Sequence, residues 1–339
     1  MSSAYLAALC GAVAAVTAAS SWALARWHAR IPLMDVPNAR SSHDRPKPRS
    51  GGIAIFLGVT LGWGLAGHAG NLGVPTLVLG AAGGFFLLGL FDDLKGSSEW
   101  ARLFIQSALA VAVSVWGPAL RTLDIPGMAP LHLPRILSIC FTAFWYVGFI
   151  NVFNFMDGTD GIAAGEAVIA GITMAILGGG PLPLLVAAAA LGFLVLNYEP
   201  SSIFMGDSGS YMLGFLLAES AVLGGGPSGR VIPFGSYVLI LGTVIIDTTA
   251  TLLRRIYRRE QWFKAHRSHY YQRLTDLGWS HARVFWTNLA LTGALSVSAL
   301  RYADGGRTTQ LLLSVGWLAA MAMGILWIGA RERHIRSSH

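Results

Sequence analysis

The order of apolar and polar positions divides the chain into eleven apolar segments, at about 4–25, 51–69, 74–91, 101–119, 135–154, 161–178, 182–197, 209–224, 234–253, 284–301 and 310–329. Most approach the roughly 20 residues a helix needs to cross a hydrocarbon core. None alternates in the two-residue period of a barrel strand, so each is predicted to be a helix. The expected fold class is therefore all-α, a polytopic integral membrane protein with about 11 transmembrane helices, or 10 if the short 182–197 segment does not span, in one domain over 1–339. The first segment lacks a basic start and is followed by ten more, so it is read as a retained helix rather than a signal peptide.

Composition removes the alternatives. Of 339 residues, 54% are hydrophobic and 12% charged, where soluble domains carry roughly a quarter charged. A disordered chain, a coiled coil and a soluble multidomain enzyme are excluded on that ground. Cys10 and Cys140 both sit in apolar segments, which excludes a disulfide scaffold. The 41 glycines suit closely packed membrane helices and would permit a homodimer.

The charge of +7 acquires meaning from its position. Even-numbered connections hold only Arg121, Arg135, Arg230, Arg301 and Arg307, while the odd ones and the C-terminal tail hold the other 19 of 24 basic residues. The positive-inside rule then puts the N-terminus outside and the C-terminus in the cytoplasm. Basic residues thus serve topology and anionic ligands, and no nucleic acid is expected.

The unusual polar motifs fall on the same side, in connections at about 27–50, 92–100, 151–161, 198–210 and 254–283. They include Arg40-Ser41-Ser42-His43, Asp92-Asp93, Asn154-Phe155-Met156-Asp157-Gly158-Thr159-Asp160-Gly161, Phe204-Met205-Gly206-Asp207-Ser208-Gly209-Ser210 and His266-Arg267-Ser268-His269-Tyr270-Tyr271-Gln272. One Asp at a helix end is ordinary solvated loop chemistry. Adjacent carboxylates repel, and five converging on one rim (Asp92, Asp93, Asp157, Asp160, Asp207) call for a hard divalent cation, Mg²⁺ or alternatively Mn²⁺, shared with substrate phosphates. The His266 and His269 spacing would suit zinc, but no Cys is near, so phosphate contact or proton handling is the more natural role. Gly158, Gly161, Gly206 and Gly209 are candidates to present backbone N–H groups to phosphate. Lys47 and Arg49 add mobile positive charge, and Phe204 is either a stacking platform or an interface aromatic. Together these suggest phosphoryl transfer between a soluble polyphosphate ligand and a lipid.

From Asp35 to Gln272 these motifs resemble those of the polyprenyl-phosphate N-acetylhexosamine-1-phosphate transferases, glycosyltransferase family 4. The Arg40–His43 stretch and the His266–Gln272 loop look most like the O-antigen-initiating branch, and the three adjacent histidines of the peptidoglycan translocase are missing. The resemblance implies transfer of a sugar 1-phosphate from a UDP-N-acetylhexosamine (GlcNAc, FucNAc or QuiNAc type) to undecaprenyl phosphate, releasing UMP. It further implies Asp207 as principal Mg²⁺ ligand with Asp157 beside the metal, and Asp92 as the base acting on the lipid phosphate with Asp93 supporting. Asn154 belongs to the same motif as a substrate-binding residue. Asn197, Phe204 and Asp160 would hold the uridine, His266 and His269 the diphosphate, and Lys47 would assist substrate binding. Direct attack is favoured over a phospho-enzyme because the lipid phosphate is already a nucleophile.

Two rivals come from other chemistry. A secondary transporter or lipid flippase would place coupling acids in the bilayer, where Glu166, Glu219 and Asp247 are the candidates. A CDP-alcohol phosphotransferase would need a paired Asp-Gly…Asp…Asp spacing that the chain lacks.

Overall fold

The computed structural model describes residues 2–27, 33–35, 46–68, 76–224, 232–261 and 267–337. Each of the eleven apolar segments is helical. The helices are α1 (Ser3–Arg26), α2 (Gly51–His68), α3 (Thr76–Lys95), α4 (Glu99–Trp116), α5 (Arg135–Met156), α6 (Ile162–Ile176), α7 (Pro181–Asn197), α8 (Gly206–Leu223), α9 (Phe234–Ile240), α10 (Gly242–Tyr257), α11 (Tyr270–Asp276), α12 (His281–Asp304) and α13 (Arg307–Ser337). Two small antiparallel ladders, Met34–Asp35 with Lys47–Pro48 and Thr122–Leu123 with Leu131–His132, add strand that the apolar pattern did not announce.

Four described helices (α1, α3, α5 and α13) are long and apolar enough to cross a membrane, five counting α9 and α10 as one span. α8 lies at the centre, packed against α3, α5 and α2, with residues Ser208 to Ala221 all buried. α13 is the peripheral helix, with Leu312, Val315, Leu318, Met323 and Leu326 exposed as a lipid-facing surface.

One expectation fails. The 234–253 segment is not one straight helix: it breaks between Ile240 and Gly242 and bends by 75°. Leu241 carries ψ near 9°, off the helical value, while its N–H still donates to the Tyr237 carbonyl and its own carbonyl accepts from Ile245, both at 3.1 Å. Beyond it α10 is two-sided, burying Val244, Thr248, Thr251 and Arg255 along one helical face while Leu253, Ile256 and Tyr257 point outward. That polar, directional face gives α10 a reason to leave the axis of α9.

Candidate active site

The C-terminal ends of α3, α5 and α7 and the N-terminal ends of α2, α4 and α8 meet at one end of the bundle, so the motif-bearing connections share a rim. A backbone ladder ties two of them together: Phe204 N–H donates to the Pro48 carbonyl at 2.8 Å, Gly51 N–H to Phe204 at 2.9 Å and Gly52 N–H to Met205 at 2.8 Å. Glycine is required at these crossings. A Cβ on Gly52 would lie 2.3 Å from the Gly209 nitrogen, and one on Gly89 would lie 2.3 Å from the Asp207 carbonyl oxygen. Gly209 therefore serves close packing against Gly52 here.

The five expected carboxylates separate into distinct roles. Asp92, on the last turns of α3, accepts hydrogen bonds from Arg102 at 2.8 Å, Ser97 at 2.7 Å and, more weakly, Tyr211 at 3.4 Å. The crossing of α3 over α8 at Gly89 sets its carboxyl beside that of Asp207, and each carboxylate lies in the field of the other. Asp207, just before the apolar run of α8, also accepts from Asn154 at 2.8 Å, and the same Asn154 amide reaches Ser210 at 2.8 Å. Asp93 points the other way. Its side chain is fully buried, accepts from the N–H groups of Asp207 at 2.9 Å and Ser208 at 3.0 Å, and lies 3.7 Å from Arg49. Asp93 therefore caps α8, a carboxylate at the positive end of a helix dipole. The amides near Gly206 that seemed suited to phosphate are filled by this cap.

Asp157 caps the end of α5 and faces the cluster. Burial and then the negative charges of Asp207 and Asp93 push its carboxyl well above the usual range. Burial and the contact with Asp92 raise Asp207 to about 7. Carboxyl groups raised in this way are ionised more readily when a cation offsets their charge. Among the described residues, no three His, Cys, Asp or Glu side chains group closely enough to enclose a metal by themselves.

Asp160 leaves the carboxylate cluster for a neighbouring subsite. It accepts from the Ser201 N–H at 2.9 Å and hydroxyl at 2.8 Å, and stands 3.6 Å from Lys47. Lys47 also donates to Ser201 at 2.9 Å and sits 5.0 Å over the Phe204 ring. Arg49, two residues on, pairs with Asp35 at 2.6 Å. Neither cation is the mobile charge that its loop position suggested. Asn197 is buried behind this subsite: it accepts from Gly161 N–H at 3.0 Å and donates to the Ile203 carbonyl at 2.9 Å. It braces the two loops rather than presenting a free amide to a ligand.

His269 precedes α11 and is buried, its Nδ1 3.0 Å from Asp247. Asp247 also accepts from the N–H groups of Tyr270 at 3.2 Å and Tyr271 at 2.9 Å, and the Tyr271 hydroxyl donates to the Phe155 carbonyl at 3.1 Å. Asp247 thus fixes the histidine loop against the Asp157 turn, a role that its place in an apolar segment signalled only as an anomaly. His266 and the Arg40–His43 stretch lie outside the described residues.

This arrangement, adjoining carboxylates beside a basic and aromatic subsite, has relatives. Residues 75–225 match glycosyl transferase family 4. The chain is 33% identical over 278 residues to a probable undecaprenyl-phosphate N-acetylglucosaminyl 1-phosphate transferase of Bacillus subtilis (strain 168), covering 80% of this chain and 77% of the relative. The chain belongs to glycosyl transferase family 4. A decaprenyl-phosphate N-acetylglucosaminephosphotransferase of Mycolicibacterium smegmatis is 29% identical over 325 residues, 84% of this chain and 79% of the relative. A phospho-N-acetylmuramoyl-pentapeptide-transferase of Staphylococcus haemolyticus is 26% identical over 278 residues, 74% of this chain and 84% of the relative. The expected polyprenyl-phosphate hexosamine-1-phosphate transferase family is borne out. The stretch matching family 4 contains every proposed site residue from Asp92 to Asp207, while Lys47, His266 and His269 fall outside it.

Proposed function

We propose that this family 4 protein transfers N-acetylhexosamine 1-phosphate from a UDP-N-acetylhexosamine to undecaprenyl phosphate, yielding the lipid diphospho-sugar and UMP. The reaction takes place on the cytoplasmic face of the bacterial inner membrane, as the first membrane step of O-antigen or a related glycan. The observation that carries the reading is the α3–α8 crossing that sets Asp92, held by Arg102, beside Asp207, held by Asn154, next to the Lys47–Asp160–Phe204 subsite. The names of the relatives support N-acetylglucosamine as the first donor to try, with FucNAc and QuiNAc as the alternatives.

The residues present fit a Mg²⁺ ion. Asp92 and Asp207 lie side by side, Asp157 stands in the field of Asp207, and Mg²⁺ is commonly held by one or two carboxylates plus substrate phosphates rather than by a complete protein cage. Asp207, with Asp157 beside it, would hold the ion, whose bound charge would offset that of the diphosphate.

In this reading Asp92 accepts the proton of the lipid phosphate, and Arg102 and Ser97 fix its orientation. A lipid phosphate oxygen attacks the sugar-bearing phosphorus, the bond to the UMP oxygen breaks, and UMP leaves. Lys47 neutralises donor charge, Phe204 stacks on the uracil, Asp160 reads its edge, and Asn197 holds the pocket in shape. His269, oriented by Asp247, addresses the diphosphate from the α11 side, together with His266. One phosphoanhydride replaces another, so no ATP is needed. The transporter alternative loses support because Glu166 is bonded to Asn288, Glu219 to Tyr146 and Asp247 to the α11 start.

The test is nucleotide release by purified protein with undecaprenyl phosphate, Mg²⁺ and a panel of UDP-N-acetylhexosamines. Lipid- and metal-dependent UMP is expected. Release of UDP would make the protein a simple glycosyl transferase, and flux across proteoliposomes without UMP would revive transport.

A further inference from the structure

The end of α10 carries more buried positive charge than the proposed reaction uses. Arg255 is partly accounted for, pairing with Glu260 at 2.9 Å and donating to the Gln261 carbonyl at 2.8 Å. Arg273, on α11, is 6% exposed. Its Nε and Nη2 donate to Glu332 of α13 at 2.6 and 2.5 Å, and its guanidinium lies 4.5 Å over the Tyr270 ring, but its Nη1 is buried with no acceptor. Arg254, in the last turn of α10, has both Nε and Nη1 buried without an acceptor. It stands in the field of Arg273 and Arg258, and the Glu332 carboxylate nearby is already engaged by Arg273.

Like charges held together with unanswered N–H groups are costly in a folded protein unless an anion joins them. Planar guanidinium forks match phosphate oxygens in particular. The surroundings indicate the source of that phosphate. Arg254 follows the end of the apolar 234–253 segment, and its neighbours Leu253, Ile256 and Tyr257 are 61%, 51% and 90% exposed, as befits side chains among acyl chains at an interface. Basic pockets between helices at a membrane surface are suited to lipid head groups.

We infer that Arg254 and Arg273 form a binding site for the phosphate of an anionic phospholipid, between α10, α11 and α13 and separate from the carboxylate rim. Occupancy would bridge the two guanidinium groups and hold α11, which follows directly on His269, against α13. Lipid composition would thereby tune how firmly the histidine loop is seated.

The experiment is native mass spectrometry of the full chain in mild detergent, titrated with phosphatidylglycerol or phosphatidylcholine. Wild type is expected to retain phosphatidylglycerol about fivefold better than phosphatidylcholine, an advantage of the size basic residues give at an anionic surface. Arg254→Gln should remove that preference, and Arg254→Lys should restore part of it. Arg307→Gln, at the other end of α13, should leave it intact. Arg254 has no ion pair among the described residues, so its loss is expected to leave a folded chain with an unchanged size-exclusion profile. An undiminished preference in Arg254→Gln would overturn the site. So would displacement of phosphatidylglycerol by millimolar inorganic phosphate, which would mark a free-anion site, or by equimolar undecaprenyl phosphate, which would assign these arginines to the substrate. None of these readouts depends on transferase activity, so the two proposals stand or fall separately.

Discussion

Asp92 and Asp93 are adjacent in sequence and opposite in use. One faces the rim, where Arg102 and Ser97 hold it against Asp207, and the other is buried as the cap of α8. Asp92→Asn and Asp207→Asn are each expected to lower kcat/KM for transfer about 100-fold or more, the scale of a lost acid–base or charge-organising group. Both proteins should keep their size-exclusion profile, and full activity in either would remove that residue from the mechanism. Phe204→Ala should raise the donor KM about tenfold, within the range of base–aromatic stacking, with kcat little changed. The candidate carboxylates were legible in the sequence because each interrupts an apolar pattern, Asp92 and Asp93 as a pair and Asp157, Asp160 and Asp207 each beside Gly. The division of labour among them was not. Asp93 becomes a cap only once α8 is brought to it, and Asn197 becomes a brace only once the 157–161 and 200–204 turns meet.

At the scale of elements, the site depends on close crossings. α3 passes α8 at Gly89, where a Cβ would collide with the Asp207 carbonyl carbon and oxygen at 2.4 and 2.3 Å. Gly89→Ala should destabilise the protein by about 1–3 kcal/mol, as overpacking does, and should reduce transfer by displacing Asp207. A thermal shift assay paired with a rate measurement checks both. Asp93→Ala removes the cap and should cost about 0.5–2 kcal/mol, with activity falling in step as α8 frays. Helix positions were legible from the apolar segments to within a few residues. The break at Leu241 was not, because the sequence stays apolar through it and the two-sided burial of α10 depends on its neighbours. Nor was α11, whose seven residues are organised by Asp247 from another helix.

For the whole molecule, the motif-bearing ends meet at one pole and the Thr122–His132 ladder lies between the opposite ends of α4 and α5. In the proposed orientation the motif pole faces the cytoplasm, the side the charge bias favours. After Cys10→Ser and Cys140→Ser, Lys95→Cys should label only from the cytoplasmic side and Met128→Cys only from outside. Labelling of both from one side would contradict this orientation. The sidedness of the motifs was legible because basic residues and acids share the same connections, whereas the contacts joining them are long-range and invisible in a linear pattern.

The most direct measurement follows the phosphorus itself. Purified protein would be given undecaprenyl phosphate, Mg²⁺ and UDP-GlcNAc labelled with ³²P at the sugar-bearing phosphate. Label entering the lipid extract, matched by unlabelled UMP in the aqueous phase and absent in Asp207→Asn, is the predicted result. Label that stays with the nucleotide while sugar reaches the lipid would contradict the account, because the bond broken would then be the glycosidic one.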